Sequence, residues 1–485
     1  MNDVMPRNST RGAALRARGS ATFPHSMPRS NAMLAQTSPR DWPPISCNAR
    51  RPRIFLYPPK LPPFQTLDDW RWPHLRKLIR ALGHASPGHC ADYFFLSNQV
   101  PKSTASTVEM FSGLARNWPW WNLTLGRRRH LLLSPCDHGP GDCMYSRQLY
   151  LKPCSPAVPK EINPKHPQRE LVFLMASGAP QHWTFFRRGL DVRLPQDHAH
   201  ECGPFCGISG RGQGAADPRK ESFRAHAAVV RRNSPWAMVE RGEAAAATAA
   251  LRKQRPLRFF FAGKCTGARA HELRAHAARP RWLIHDTKGA DVFNRSRAVG
   301  AAAGIDVEKD PEWFVKAMAS SDFCFSPLGQ TQGDSDRYLP AVLYGCIPVF
   351  PLPGEALPFE DVLDWNETAV RLTAEQIPRM HEVLDAIPHA QLVRMRRRMR
   401  EIYRPLLWSS AHGSYLGEPG GTDATSDAFA TLMASLRARL PAGSGSRWCD
   451  TEDGCASSPA PPPTKDPLCD QDAARRPLAK RALGR

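Results

Sequence analysis

The chain has 485 residues and a mass of 54.0 kDa. This exceeds what one hydrophobic core usually supports, so we expect two domains with appended segments. Apolar residues make up 41% of the chain, which is enough for real cores. The formal net charge is +21, but no basic segment is interleaved with aromatic residues as in nucleic-acid-binding modules. We therefore do not expect nucleic acid as a partner.

The first 50 residues contain no apolar run of even seven residues, so they predict no transmembrane span. They are rich in Arg and Ser, with Asp3 and Asp41 as their only acids. This composition is typical of an organellar transit peptide or a disordered stem, and it also fits a gene model that lacks its first exon. The last segment, 441–485, is rich in Gly, Ser and Pro and is predicted to be disordered.

The first structured element begins at Arg53. Residues 53–57 (RIFLY) form a short apolar run that ends at two prolines, which predicts a buried strand. A helix is expected near 75–82 and a second strand at 90–96. Between about 196 and 254 the chain is rich in Gly, Ala and Arg, and we interpret this stretch as an insertion and an interdomain connection.

A second group of elements begins at Leu257. Residues 258–263 (RFFFAG) predict a strand that ends in glycine, and a polar loop follows it. This order is how α/β folds open a ligand site at the carboxyl ends of their strands. A helix is expected at 313–319. Five arginines at 394–400, interrupted by Met395 and Met399, predict an amphipathic helix with a solvated basic face, the alternatives being an anionic acceptor or a membrane surface.

The stretch from 323 to 365 carries the strongest motif. It contains Phe323, Cys324, Pro327 and Gly329, then Ser335, Arg337 and Ala341, then GCIPV at 345–349, and finally Pro358, Phe359 and VLDW at 362–365. This series resembles the C-terminal signature of the exostosin (GT47-like) family of glycosyltransferases. Weaker similarity extends upstream to residue 53 and includes FRRGLDVRLP at 186–195.

The resemblance implies a GT-B type α/β fold, with two Rossmann-like domains facing a cleft. We therefore expect a disordered, targeting or stem segment at 1–50 and an acceptor-side α/β domain at 51–250, whose insertion lies near 196–250. A nucleotide-sugar-binding α/β domain should follow at 256–440, and a disordered tail at 441–485.

Transfer from a nucleotide sugar leaves negative charge on the departing diphosphate, and GT-B enzymes generally meet that charge with basic side chains and helix N-termini. Arg337 is the best candidate because it opens a predicted helix and a guanidinium can bind phosphate oxygens bidentately. The other residues predicted to form or shape the nucleotide-sugar site are Gly263, Lys264, Arg269, Arg274, Gly329, Ser335, Gly345, Ile347 and Pro348. Cys346 lies among apolar residues and is expected to be a buried, unreactive thiol.

The candidates for the base that deprotonates the acceptor hydroxyl are His130 and Asp137, because their positions match motifs of the family that the chain resembles. The sequence departs from the family pattern at Arg129, which replaces an acid, and at Pro340. An acidic residue thought to contact the ribose usually stands at the position of Pro340. Both departures favour the alternative of a non-catalytic subunit.

No metal is expected as a cofactor. Asp334 and Asp336 spell a DxD motif, but they follow a polar, glycine-containing loop and are interpreted as helix-capping residues. A second group, His198, His200, Cys202 and Cys206, does not have an established zinc spacing, and disulfide-bonded or free cysteines are the favoured interpretation.

The resemblance therefore implies an inverting glycosyltransferase that moves a sugar from a nucleotide sugar, expected to be a UDP-sugar, to a polysaccharide or glycoprotein glycan. The alternative is a non-catalytic exostosin-like subunit that supports an active partner. Thirteen cysteines are consistent with a secretory lumen. The family resemblance points to the Golgi, with organellar targeting as the alternative. Four sequons permit N-glycosylation there: Asn8, Asn122, Asn294 and Asn366.

Overall fold

The computed structural model shows an α/β protein whose strands form two parallel sheets. It describes residues 51–57, 71–96, 113–114, 117–118, 120, 129–134, 171–175, 186, 188–195, 228–263, 273–286, 295–327, 337–351, 354–412 and 426–440. The tails predicted to be disordered lie outside these residues, as do both motifs considered as metal sites.

The first sheet has five parallel strands in the order β1-β2-β3-β4-β5. Its inner strands are almost continuous apolar runs, such as YFFL and VFLM, because both faces of the sheet are covered. The strands are Ile54–Leu56 (β1), Tyr93–Leu96 (β2), His130–Ser134 (β3), Val172–Met175 (β4) and Val192–Arg193 (β5).

The second sheet is also parallel and has the order β10-β9-β8-β6-β7. Its strands are Leu257–Gly263 (β6), Trp282–Asp286 (β7), Ser321–Phe325 (β8), Ile347–Phe350 (β9) and Val370–Arg371 (β10). Since β6 lies between β7 and β8, the chain leaves β6 towards one side of the sheet and later returns on the other. This reversal of strand order determines where a ligand site can form.

The helices confirm the predicted elements near 75–82 and at 313–319. They are α1 (Arg71–Ala81), α2 (Pro235–Glu240), α3 (Ala244–Arg252), α4 (Ser296–Ala302), α5 (Trp313–Ala319), α6 (Tyr338–Leu343), α7 (Met380–Asp385), α8 (His389–Ile402), α9 (Ser409–His412) and α10 (Ala428–Ala438). Within the part of the chain that the structure describes, no helix is long and apolar enough to cross a bilayer.

Helices α2 and α3 pack with the second sheet, upstream of the expected boundary at residue 256. Trp236 is fully buried in that core, and its indole Nε1 donates a hydrogen bond to the carbonyl of Val342 at 2.7 Å. Part of the stretch interpreted as an insertion therefore belongs to the second core. The Ala-rich sequence of α3 gave no sign of this, because small residues carry little amphipathic pattern.

Helix α10 packs instead with the first sheet. Its residues Phe429, Leu432 and Leu436 lie in the first hydrophobic core, and the Tyr93 hydroxyl donates a hydrogen bond to the Leu436 carbonyl at 2.8 Å. The helix begins at Asp427, whose carboxylate accepts the backbone N–H groups of Phe429 and Ala430. The end of the expected second domain thus returns to the first core.

The basic segment 394–400 forms part of α8, as predicted. Leu392, Met395 and Met399 face the core. One arginine departs from the prediction: Arg396 is fully buried and forms an ion pair with Asp322, so it does not belong to the solvated face. A buried carboxylate supplied by β8 explains the difference, and the local spacing could not reveal it.

Candidate functional site

The carboxyl edge of the second sheet carries the candidate site. Strand β6 ends at Gly263 and β8 ends at Phe325, and these neighbouring strands flank the reversal of strand order. In open α/β sheets, connections that leave two such strands in opposite directions open a crevice outside their carboxyl ends. Side chains that reach this point are therefore the first candidates for ligand contacts.

Arg337 lies at this crevice. It immediately precedes α6, and its Nε donates a hydrogen bond to the carbonyl of Ala262 at 3.3 Å. The guanidinium carbon lies 5.3 Å from the centre of the Phe261 ring, a distance typical of a cation–π contact. The side chain is thus held against the last residues of β6, with a delocalised positive charge at the carboxyl edge.

Gly263 makes room for that guanidinium. A Cβ atom at this position would lie 2.7 Å from Arg337 Nη2, closer than real Cβ contacts, and 3.2 Å from Phe261 Cζ, which is tighter than most of them. The structure therefore brings together two residues that the sequence predicted for the nucleotide-sugar site. They are 74 positions apart, and the pairing of β6 with β8 places them side by side.

Gly345 ends α6 in the left-handed conformation, with φ +66°. A Cβ there would lie 3.1 Å from the Arg255 guanidinium, so both the turn and the packing require glycine. Ile347 and Pro348 are buried in β9. These three predicted residues position the sheet and helix around the crevice.

Cys346 is not the buried thiol that we expected. It forms a disulfide with Cys324, with a Cα–Cα distance of 5.7 Å. The two cysteines lie on β8 and immediately before β9, and this adjacency is a property of the sheet. The bond closes the segment that contains Arg337, so it ties both ends of that segment to neighbouring strands.

The other predicted nucleotide-sugar residues are less informative. Arg274 is exposed in the connection between β6 and β7. Lys264, Arg269, Gly329 and Ser335 lie outside the described residues, as does Asp137. Within the described ranges, no group of three or more His, Cys, Asp or Glu side chains is arranged to hold a metal ion.

His130, the other candidate for the acceptor base, lies in the first sheet. It is the first residue of β3, at the amino end of the strand, and it is fully buried. Its Nε2 lies 2.8 Å from the Tyr57 hydroxyl, and its ring stacks on Phe94 at 5.0 Å. Burial raises the pKa of Tyr57, so its hydroxyl stays protonated beside the imidazole. This environment favours a packing role for His130.

A buried ion pair that sequence reasoning missed lies beside the candidate site. Arg193, the last residue of β5, donates from Nη1 to Glu355 Oε1 at 2.9 Å and to the carbonyl of Ala356. Burial raises the pKa of Glu355, and the Arg193 charge opposes that shift. The Arg193 guanidinium also lies 5.7 Å from the centre of the Tyr338 ring, and Tyr338 directly follows Arg337.

This pair connects the first sheet to the segment after β9 and to the start of α6. Its partners are 162 positions apart. The only sequence signal was that Arg193 falls inside the motif at 186–195, where nothing indicated a partner.

Comparison with known proteins covers the part of the chain that contains Gly263 and Arg337. Residues 222–387 match the Exostosin GT47 domain. The chain is similar to the probable glucuronosyltransferase GUT1 of Oryza sativa subsp. japonica, with 30% identity over 195 residues, covering 36% of this chain and 44% of that protein. It is also similar to the probable beta-1,4-xylosyltransferase IRX10 of Arabidopsis thaliana, with 30% identity over 138 residues, covering 28% of this chain and 31% of that protein. The chain thus spans less than half the length of these curated relatives.

Proposed function

We propose that this chain, whose residues 222–387 match the Exostosin GT47 domain, is an inverting glycosyltransferase that uses a UDP-sugar as donor and a polysaccharide or glycoprotein glycan as acceptor. The observation that carries the proposal is the Arg337 guanidinium, which lies against Gly263 at the reversal of strand order. Two parallel sheets, with a C-terminal helix that returns to the first, support a GT-B arrangement with a cleft between its halves.

In the proposed reaction the acceptor oxygen attacks the anomeric carbon from the face opposite UDP. The bond from that carbon to the diphosphate oxygen breaks, and the diphosphate leaves with the bonding electron pair. Arg337 stabilises the developing negative charge by donating hydrogen bonds in the transition state. The acceptor proton passes to a base, for which Asp137 is the remaining sequence candidate.

We propose that no divalent ion takes part in this step. The diphosphate charge is then met by Arg337 and by backbone N–H groups. Transfer or donor hydrolysis should survive EDTA, with UDP-xylose and UDP-glucuronic acid as the first donors to test in view of the relatives' names. Transfer that requires Mn²⁺ absolutely, and that is lost in Asp336→Ala, would contradict this part of the proposal.

Binding of UDP to the full chain tests the donor site directly. Calorimetry should show binding by the natural protein and clear weakening in Arg337→Ala. Arg397→Ala is the matched control because it removes an exposed arginine from α8, and it should bind UDP like the natural protein. Equal UDP affinity in Arg337→Ala would remove Arg337 from the site.

A second candidate function is a non-catalytic subunit that stabilises a glycosyltransferase partner. Pro340 favours it, because proline offers no side-chain polar group where the family usually has an acid. The structure places Pro340 in the first turn of α6, where a missing N–H is tolerated, and buries its ring. Failure of the natural chain to bind UDP or any UDP-sugar at millimolar concentration would refute the enzyme and favour the subunit.

We further propose that the protein works in the secretory lumen, in the Golgi. The buried Cys324–Cys346 disulfide supports an oxidising compartment. Asn122 and Asn294 begin sequons. A loss of mass on glycosidase treatment of protein from its native host should therefore be seen. An unglycosylated protein cleaved in a plastid or mitochondrion would contradict the proposal.

A further inference from the structure

A cavity of about 450 Å³ lies where the motif at 186–195 meets the segment 357–371. Its size falls within the range of small-molecule sites. The residues that line it include Arg188, Asp191, Arg193, Glu360, Asp364 and Trp365. Most of the lining comes from the two motifs that matched the exostosin pattern on either side of residue 250. The structure therefore joins two sequence motifs around one polar cavity.

The charges in this cavity are balanced. Glu360 accepts from Arg188 at 2.7 Å and from Arg371 at 3.0 Å, Arg439 pairs with Asp361, and Arg193 pairs with Glu355. Each guanidinium that lines the cavity thus faces a carboxylate. A phosphate or uronate would have to displace one of these carboxylates, whereas a neutral polyol can add hydrogen bonds to groups that are already held in place.

Further surfaces in the cavity suit a sugar. Phe186 lines the cavity and is partly exposed, so its ring can offer an apolar surface to the C–H face of a pyranose, whereas Phe359 and Trp365 are almost fully buried. Phe359 has φ +50°, an uncommon conformation for a non-glycine residue, and its N–H donates to the Arg193 carbonyl at 3.0 Å. The carboxylate of Asp364 is exposed and accepts the Asn366 N–H at Oδ1 (3.0 Å), and within the described part of the chain it forms no ion pair, so its remaining lone pairs can accept hydrogen bonds from sugar hydroxyls.

Arg193 connects the cavity to helix α6. This residue lines the cavity, and its guanidinium lies 5.7 Å from the centre of the Tyr338 ring. Both side chains are buried, so they form a packed connection between the wall of the cavity and the helix that Arg337 precedes.

We propose that this cavity binds a neutral sugar unit of the acceptor glycan. The role of this sugar as an acceptor rests on the proposed glycosyltransferase function, whereas binding of the sugar can be measured independently. The probes are xylohexaose and cellohexaose, which are both neutral β-1,4-linked oligosaccharides. Their binding to the full chain is measured by saturation-transfer NMR and calorimetry at millimolar concentration.

Two pairs of variants separate the cavity from its surroundings. Asn366→Trp places an indole at a lining position, and Asn366→Gln is its control, since both changes remove the same sequon. Asp364→Ala removes a lining carboxylate, and Glu367→Ala removes a nearby exposed carboxylate that does not line the cavity. We expect hexasaccharide binding to weaken about tenfold or more in Asn366→Trp and Asp364→Ala and less than about twofold in the controls. Melting temperatures show whether each variant is folded.

UDP affinity, measured on the same samples, distinguishes the two proposals. It should be unchanged in all four variants. Hexasaccharide binding that depends on the cavity, in a chain that does not bind UDP, would support the sugar site and refute the donor function. UDP binding without binding of either hexasaccharide, or hexasaccharide binding that is equal in all variants, would overturn the sugar site.

Discussion

A methyl group at Gly263 offers the sharpest test of the donor site. In Gly263→Ala the new Cβ would lie 2.7 Å from Arg337 Nη2. The guanidinium is the end of a flexible side chain, so it can move by several tenths of an ångström to restore an ordinary contact. Such a shift redirects its hydrogen-bond donors. Because a hydrogen bond to a charged group contributes about 1.5–3 kcal/mol, misdirecting one should weaken UDP binding about 10- to 150-fold.

The mechanism of that loss can be isolated with a double-mutant cycle. The four proteins are the natural chain, Gly263→Ala, Arg337→Ala and the double variant, each titrated with UDP in a calorimeter. If the methyl group acts through the guanidinium, adding Gly263→Ala to Arg337→Ala should change the affinity less than about twofold. Melting temperatures report any backbone strain at residue 263 separately.

Two results would refute the reasoning. Additive losses would show that the methyl group blocks UDP or distorts the backbone without involving Arg337. Unchanged UDP affinity in Arg337→Ala would show that the guanidinium at the end of β6 does not touch the nucleotide.

Two further predictions concern stability. Replacing both Cys324 and Cys346 by Ser should lower the free energy of unfolding by about 3 kcal/mol, because the disulfide closes a loop between residues 22 positions apart. Urea titration measures this free energy. Equal stability of the natural chain with and without reductant would contradict the prediction. Burial opposes ionisation of Asp92, but hydrogen bonds from Arg53 and Arg51 outweigh it and lower the pKa of Asp92. The stabilisation should therefore be fully present above the ordinary aspartate pKa of about 4 and be lost as the pH falls below it. Unfolding curves of the natural chain should converge with those of Asp92→Asn as the solution is acidified, and parallel pH profiles would show that the ion pair contributes nothing.

The exostosin resemblance also has a definite structural counterpart. FRRGLDVRLP at 186–195 and the segment 357–365 look unrelated in sequence, yet they line one cavity and are joined by Arg188 and Glu360. Motif matching singled out both segments. It could not show that they meet, because their contact depends on how β5 approaches the segment after β9.

The sequence by itself determined the strands and the chemistry at their ends. Continuous apolar runs such as RFFFAG are typical of the inner strands of a parallel sheet, and the glycine at the end of β6 and the arginine before α6 were recognisable as phosphate-binding residue types. Such patterns are local, with a period of a few residues, so they survive without knowledge of the rest of the chain. They also allowed α8 to be predicted as a basic amphipathic helix.

Only the tertiary structure decided which of these residues meet. Strand order placed Arg337 against Gly263, brought Cys324 next to Cys346, and buried Arg193 with Glu355. It also assigned α3 to the second core and α10 to the first, and it placed His130 at the amino end of its strand. Each of these outcomes depends on contacts between distant parts of the chain. A local apolar pattern shows that a residue is buried, but it does not show which residue buries it.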